Sequence, residues 1–155
     1  MIKVCFVCLG NICRSPMAEF IMKDLIIKNN LINSFYITSR ATSYEEIGNG
    51  IYPQAKQKLK EKNIYFDNNK KAIKLEKDDY EKYDYIIGMS DSNIRDIEKI
   101  LNKKDIKKIK RLLDFSSNHR DIADPWYTND FEKAYNDILE GCTFFLDFCN
   151  ENNIL

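Results

Sequence analysis

The chain has 155 residues, with 24 lysines and arginines balanced by 24 aspartates and glutamates, five cysteines and one histidine. This length predicts one domain over residues 1–155, and a hydrophobic content of 44% supplies enough core to exclude global disorder. The zero net charge gives the whole chain no electrostatic reason to bind nucleic acid or an anionic membrane. The single His119 excludes a metal centre with two histidines from one chain.

The cysteines indicate a reducing compartment. They are Cys5, Cys8, Cys13, Cys142 and Cys149. Disulfide-stapled secreted domains are shorter and richer in cysteine, so these residues favour free thiols. The apolar run from Val4 to Leu9 is too short for the core of a signal peptide, and no segment approaches the roughly 18 to 20 apolar residues of a membrane span. We therefore expect a soluble, cytoplasmic protein.

The chain begins with the pattern of a strand, a compact loop and a helix. Residues 2–8 form a nearly continuous apolar run, typical of a strand buried on both faces of a parallel sheet. Gly10 and Asn11 both tolerate positive φ, which predicts a tight loop. Ser15 as a cap and Pro16 at the first helical position then predict a helix.

Strands and helices alternate along the rest of the chain. Strands are predicted over 35–39, 83–89 and 106–113, and helices from Pro53 onward, over 90–101 and over 131–148, with a long loop over 114–128. This order predicts an α/β fold: one three-layer domain with a four-stranded parallel sheet, helices on both faces and a phosphate-binding loop after the first strand. The basic run over 103–111 fits a charged sheet edge better than a nucleic-acid patch.

The connection between the first strand and the first helix has the strongest chemical pattern. It reads Cys8-Leu9-Gly10-Asn11-Ile12-Cys13-Arg14-Ser15. Five residues between a cysteine and an arginine can wrap into a cup whose N–H groups point at one tetrahedral anion, and the following helix adds its positive N-terminus. We therefore predict that residues 9–13 and Ser15 bind phosphate.

Three residues of this cup have distinct predicted roles. The inward N–H dipoles, the helix terminus and Arg14 favour a thiolate at Cys8, which makes it a nucleophile without a histidine base. The planar fork of Arg14 can hold two phosphoryl oxygens at once. Ser15 can donate its hydroxyl to the sulfur and so help Cys8 to leave.

A proton donor for the leaving group must come from outside the cup. Asp124 is the best candidate, because it lies on the long loop where Pro125 stiffens the backbone. Trp126 and Tyr127 can form apolar walls that stack on an aromatic leaving group. The alternatives remain that Asp124 is only a turn residue before proline and that the two aromatics only hold the loop in place.

These residues closely resemble the low-molecular-weight protein tyrosine phosphatases, whose N-terminal signature is Val-Cys-x-Gly-Asn-x-Cys-Arg-Ser-Pro. The signature is present here as residues 7–16, and the resemblance spans nearly the whole chain. It implies hydrolysis of phosphotyrosine and aryl phosphates through a cysteinyl-phosphate intermediate, with no metal or organic cofactor. Cys8 is then the nucleophile, Arg14 the phosphate clamp, and Asp124 the general acid that later activates water.

The resemblance also implies supporting roles. Asn11 is expected to hold the loop in a left-handed conformation through hydrogen bonds to Ser15 and Ser39. The counterpart of Cys13 in the family forms a reversible disulfide with the nucleophile, which protects it from irreversible oxidation. The expected partners are tyrosine-phosphorylated proteins or small aryl phosphates, with no nucleic acid and no membrane, and the protein is expected to be a monomer or weak dimer.

The chain departs from the family pattern at several positions. Arg40 lies in the loop beside the site, Lys70 replaces a histidine that supports the loop, and Ser90 and Thr128 replace a usual aspartate and glycine. The replacement at Lys70 weakens the expectation that Asn11 keeps its full network. The aromatic residue of the opposite cleft wall is shifted or lost, and Tyr44 is its nearest substitute.

Three other functions fit parts of the pattern less well. An arsenate reductase needs two further cysteines beyond the third strand, and residues 88–96 contain none. A non-catalytic phosphotyrosine or anion-binding module would need neither Cys8 nor Asp124. A flavodoxin-like cofactor carrier would not require a cysteine and an arginine in its phosphate loop.

Overall fold

Four parallel strands form the central sheet in the order β2-β1-β3-β4. The structure is a computed structural model that describes residues 1–155. The strands are β1 (Ile2–Cys8), β2 (Phe35–Ala41), β3 (Tyr85–Gly88) and β4 (Ile109–Arg111). The helices are α1 (Arg14–Lys28), α2 (Pro53–Glu61), α3 (Asp79–Lys82), α4 (Asp91–Leu101), α5 (Pro125–Thr128) and α6 (Phe131–Glu151). The predicted α/β fold with a four-stranded parallel sheet is confirmed.

The alternation of side chains along β1 builds two cores, one on each face of the sheet. Val4 and Phe6 belong to the larger core, which α1, α2 and α6 cover. Cys5 and Val7 face the smaller core, where they meet Ile97 of α4. Because both faces are covered, β1 is almost entirely apolar, as expected for an inner parallel strand.

The topology places a crevice at the carboxyl end of β1. The chain leaves β1 through α1 to reach β2 on one side, whereas β3 pairs with β1 on the other side. Cys8 pairs in register with Ala41 of β2, and Val7 pairs with Gly88 of β3. In open α/β sheets, ligands bind at such a switch point outside the carboxyl ends of the strands.

The start of α1 differs from the sequence-based prediction. The helix begins at Arg14, and Cys13 occupies the N-cap position without a side-chain hydrogen bond. Ser15 does not cap the helix, because its hydroxyl accepts hydrogen bonds from Cys8 and Asn11. The Ser15 hydroxyl therefore stabilises the phosphate loop and does not cap the helix.

Two other segments also differ from the prediction. The predicted strand over 106–113 is ordered as a strand only over Ile109–Arg111, since Ile106 is 79% exposed and Leu112–Asp114 form a 3₁₀ turn. The short helices α3 and α5 were not predicted, because single turns have too few residues to show a period. As the sequence indicated, β4 lies at the edge of the sheet. None of the helices is both long and apolar enough to span a bilayer.

Candidate active site

The loop between β1 and α1 folds around the sulfur of Cys8. The backbone N–H groups of Asn11 and Ser15 both point at Sγ, with N···S distances of 3.3 and 3.4 Å. The Cys8 thiol donates to Oγ of Ser15 over 3.0 Å, and only 4% of Cys8 is exposed. Two inward N–H groups at the start of a helix form the anion-binding arrangement expected for this loop.

Asn11 holds the loop in this shape. Its φ of 58° is left-handed, a conformation that asparagine tolerates better than most residues. Its amide nitrogen donates to Oγ of Ser15 (2.7 Å) and Oγ of Ser39 (2.9 Å). Its amide oxygen accepts from Nζ of Lys70 (2.8 Å) and from the backbone N–H of Ile73 (3.1 Å). All the polar atoms of this buried amide are therefore paired.

Lys70 supports Asn11, although its replacement of a histidine had weakened that expectation. Its ammonium group also donates to the backbone oxygen of Lys71 over 2.7 Å. Burial lowers the pKa of Lys70, while the carboxylate of Glu19 opposes this effect. The Asn11 network is thus complete in this chain, with a lysine as one of its donors.

Glu19 is a supporting residue that the sequence analysis missed. It is only 5% exposed, and its carboxylate accepts hydrogen bonds from Ser39 Oγ (2.6 Å) and Lys23 Nζ (2.7 Å). Ser39 in turn contacts Asn11, so Glu19 orients the loop through two hydrogen bonds. The feature of the sequence that could have identified Glu19 is a single carboxylate among the apolar residues that α1 buries.

Arg14 connects the cup to the loop before α6. It is 5% exposed, and its Nη1 donates to the backbone oxygen of Ile122 over 2.9 Å. Its Nη2 lies 3.3 Å from Oδ2 of Asp124. Asp124 also caps α5, since Oδ1 accepts from the Trp126 N–H over 3.0 Å. The structure thus brings Cys8, Arg14 and Asp124 to one cleft.

The cleft has different walls on its two sides. Its floor is formed by residues of the Cys8–Arg14 loop. Asp124, Trp126 and Tyr127 form one wall, and the ring of Trp126 packs 4.9 Å from that of Tyr52. The side chains of Trp126 and Tyr127 remain largely exposed, as expected for surfaces that receive a ligand.

The structure corrects the prediction that Tyr44 forms the opposite wall of the cleft. Ser43, Glu45 and Glu46 line the cleft, whereas Tyr44 lies outside it and is 74% exposed. The ammonium of Lys74 lies 4.6 Å from the centre of the Tyr44 ring. This cation–π contact gives the exposed ring a partner outside the cleft.

The remaining cysteines are buried and unpaired. Burial raises the pKa of Cys13, which lies on the rim of the cup, and charges on Cys8 and Asp124 act in the same direction. Burial also raises the pKa of Cys5 to about 12, consistent with a core residue. No group of three or more His, Cys, Asp or Glu side chains converges as metal ligands would.

The other departures from the family pattern leave the cup intact. Arg40 turns its guanidinium toward the hydroxyl of Tyr83, 3.2 Å away. Oγ of Ser90 lies 3.0 Å from that of Ser92 at the start of α4. Thr128 accepts a hydrogen bond from the N–H of Asp130 just before α6. None of these three side chains contacts Cys8.

A comparison with protein families decides the identification. The family model described as low molecular weight phosphotyrosine protein phosphatase matches residues 3–153. The chain belongs to this family. Low molecular weight protein-tyrosine-phosphatase PtpA of Staphylococcus saprophyticus is 40% identical over 149 residues, which cover 96% of this chain and 94% of the relative.

Solved structures agree with the assignment to the low molecular weight phosphatases. The crystal structure of YfkJ from Bacillus subtilis superposes with a TM-score of 0.93 at 38% identity, covering 98% of this chain and 96% of YfkJ. That of a Drosophila arginine phosphatase gives a TM-score of 0.86 at 32% identity, covering 95% and 97%. The predicted family, the class of hydrolytic enzyme and the function of a protein tyrosine phosphatase are confirmed.

Proposed function

We propose that this phosphatase hydrolyses phosphate monoesters of tyrosine with Cys8 as nucleophile, Arg14 as phosphate clamp and Asp124 as general acid and base. The observation that carries this proposal is the position of Sγ of Cys8. It lies at the floor of a cleft that Arg14 and Asp124 also line, with two backbone N–H groups directed at it.

In the first step, the Cys8 thiolate attacks phosphorus, and the bond between phosphorus and the ester oxygen breaks. The N–H groups of the loop and the guanidinium of Arg14 stabilise the negative charge on the transferring phosphoryl oxygens. Asp124 gives its proton to the departing phenolate. The products of this step are tyrosine and a cysteinyl phosphate.

In the second step, the Asp124 carboxylate takes a proton from water, and the resulting nucleophile attacks the phosphorus of the cysteinyl phosphate. Cys8 leaves as a thiolate and inorganic phosphate is released. In the resting site the Cys8 thiol donates to Ser15. When the thiol has lost its proton, the Ser15 hydroxyl is placed to turn and donate to the sulfur, which assists this departure.

The cleft supports tyrosine-phosphorylated proteins and small aryl phosphates as substrates. Trp126 and Tyr127 extend the Asp124 wall outward, so an aromatic leaving group stacks on them while its phosphate reaches the loop. We expect no nucleic acid or membrane among the partners and a monomer or weak dimer. The five free thiols support a cytoplasmic location, where cysteines stay reduced.

Measuring turnover in the presence of a metal chelator tests this proposal. We expect the wild type to hydrolyse a phosphotyrosine peptide and an aryl phosphate, and Cys8→Ser to lose turnover of both while still binding inorganic phosphate. Cys142→Ser is the matched control, since it removes another buried thiol, one that contacts Ala18 of α1 and does not line the cleft. A phosphoarginine peptide tests the specificity; its faster hydrolysis would overturn the assignment to phosphotyrosine. Undiminished turnover by Cys8→Ser would overturn the mechanism.

A further inference from the structure

Carboxylates predominate among the charged residues that line the active site, although its ligand is an anion. A second groove adjoins the catalytic cleft and shares Leu9, Arg14, Asp124 and Tyr127 with it. Arg14 is the only lysine or arginine that lines either groove, and it is already paired with Asp124. The remaining charged residues at both grooves are carboxylates.

These carboxylates belong to segments that follow the two strands on either side of β1: Glu45 and Glu46 follow β2, and Asp96 is on α4, which follows β3. Glu45 and Glu46 line the catalytic cleft together with Trp126. Asp96 and Asp121 line the second groove. Asp121 is ion-paired, because Nη1 of Arg111 lies 2.9 Å from its Oδ1, although Arg111 also pairs with Asp91 and Asp114. Glu45, Glu46 and Asp96 form no ion pair within the molecule.

Glu46 is held at the edge of the cup. Its Oε2 accepts a hydrogen bond from Asn49 Nδ2 over 2.7 Å. Its Cγ packs so closely on Gly10 that a Cβ at that position would lie 3.3 Å away. Its charge also contributes to raising the pKa of Cys13 on the loop. The carboxylate is therefore a fixed feature of the site and not a freely moving surface group.

Unpaired carboxylates at this place weaken the binding of a bare phosphate monoester. Like charges repel, and a site that binds a phosphate dianion loses affinity when fixed negative charges surround its entrance. The same charges become favourable when the substrate carries cations beside its phosphate. They also reject substrates with acidic neighbours, which gives discrimination between peptides.

We propose that this phosphatase selects phosphotyrosine segments with lysine or arginine on both sides of the phosphotyrosine. Glu45 and Glu46 recognise the basic residue on one side, and Asp96 recognises that on the other. An extended peptide advances about 3.3 to 3.6 Å per residue, so lysine side chains next to the phosphotyrosine reach both flanks of the cup. The inference rests on the proposed phosphotyrosine hydrolase activity and names its substrate class.

A panel of three phosphotyrosine peptides tests the proposal with the unaltered protein. The peptides differ only in the residues flanking the phosphotyrosine, which are lysine, glutamine or glutamate. We expect kcat/KM to fall in that order, with the lysine peptide about tenfold better than the glutamate peptide at low salt. This ratio shrinks at high salt, because the charges are exposed enough to be screened.

Charge-removing variants identify the responsible residues. In Glu45→Gln/Glu46→Gln and in Asp96→Asn, the ratio of kcat/KM between the lysine and glutamate peptides falls severalfold. In the double glutamate variant, KM for a small aryl phosphate decreases, because a repulsive charge has been removed. Glu81→Gln is the control: it removes one exposed carboxylate that lines neither groove and leaves the ratio unchanged.

The outcomes distinguish a failure of the proposed function from a failure of the proposed selectivity for basic peptides. If no phosphotyrosine peptide is hydrolysed, the proposed function fails. If all three peptides are hydrolysed at equal kcat/KM, the function stands and this inference is overturned. It is also overturned if the groove variants keep the wild-type ratio, or if Glu81→Gln lowers the ratio as much as they do.

Discussion

The ammonium group of Lys70 lies 2.8 Å from Oδ1 of Asn11, whose amide nitrogen contacts the serine that accepts a hydrogen bond from the Cys8 thiol. A lysine from a distant loop is thereby three hydrogen bonds from the nucleophile. Because the left-handed Asn11 shapes the phosphate loop, the donor on Lys70 helps to fix the geometry of the cup, together with the contacts of Asn11 to Ser39 and Ile73. Lys70 is a positioning residue, since it touches neither the sulfur nor the cleft.

Removal of this donor should reduce activity more than stability. We expect Lys70→Met to lower kcat/KM for an aryl phosphate about fivefold to tenfold, the effect of one buried hydrogen bond. Lys70→Gln should recover most of the activity, because its amide can donate to Asn11 without a charge. The rate of Cys8 alkylation by iodoacetamide should fall and recover in parallel.

Lys71→Met is the matched control for this prediction. Lys71 is exposed, and only its backbone oxygen contacts Lys70. We expect its kcat/KM to remain within about twofold of the wild type. Equal losses in Lys70→Met and Lys71→Met, or no recovery in Lys70→Gln, would show that Lys70 does not position the loop.

The lowered pKa of Lys70 predicts a pH dependence of stability. Between this lowered pKa and the ordinary value of 10.5, the unfolded chain binds more protons at Lys70 than the folded chain does. The free energy of unfolding contributed by this residue therefore rises with pH through that window. Urea titrations should show wild type gaining stability relative to Lys70→Met as the pH rises toward 10.5. A constant difference over that range would contradict the burial of the ammonium group.

The role of Asp124 predicts a dependence on the leaving group. We expect Asp124→Asn to lower kcat/KM for phenyl phosphate roughly 100-fold, because phenolate leaves poorly without a proton and kcat/KM reports the step in which it leaves. For dinitrophenyl phosphate the loss of kcat/KM should be only about fivefold, since that group leaves without protonation. Asn can keep the cap of α5 that Asp124 provides, so the fold is preserved.

Asp130→Asn is the control for Asp124, because Asp130 caps α6 in the same way. It should leave both rates close to wild type. An equal loss with the two substrates in Asp124→Asn would mean that the carboxylate acts through Arg14 and not as the acid.

Cys13 predicts reversible inactivation by peroxide. Hydrogen peroxide oxidises the Cys8 thiolate to a sulfenic acid, and the Cys13 sulfur then attacks it, releasing water and forming a disulfide. A dithiol reduces this bond and restores both thiols. We expect wild type to regain most of its activity after dithiol treatment and Cys13→Ser to regain little, because a second peroxide oxidises the unprotected sulfenic acid to a sulfinic acid that a dithiol does not reduce. Equal recovery of the two proteins would exclude the protective bond.

Local patterns were sufficient to predict the centre of the fold. Residues 2–8 form β1 as expected, because the strand is apolar on both faces and needs no distant information. The cysteine, the arginine and the loop between them lie together in sequence, so their meeting around Cys8 followed from spacing alone. The proposed role of Asp124 depended on the resemblance as well as on its proline and aromatic neighbours.

Contacts between distant segments could not be predicted from local sequence patterns. Glu19 reaches the loop only through Ser39 on β2, and a sequence does not show which side chains meet across two elements. The resemblance placed Lys70 where a histidine supports the loop, but the sequence did not show that the lysine itself would donate a hydrogen bond to Asn11. Tyr44 contacts Lys74 outside the cleft, and no periodicity in the sequence reveals that contact.

Trapping of the intermediate shows which residue carries the phosphoryl group during turnover. Wild-type protein and the Cys13→Ser variant are mixed with an aryl phosphate, quenched within one turnover and digested, and the peptides are weighed by mass spectrometry. We predict the mass of one phosphoryl group on the sulfur of Cys8 in both proteins, and none in Cys8→Ser. Turnover without a phosphorylated Cys8, or a phosphoryl group on another residue, would contradict the account.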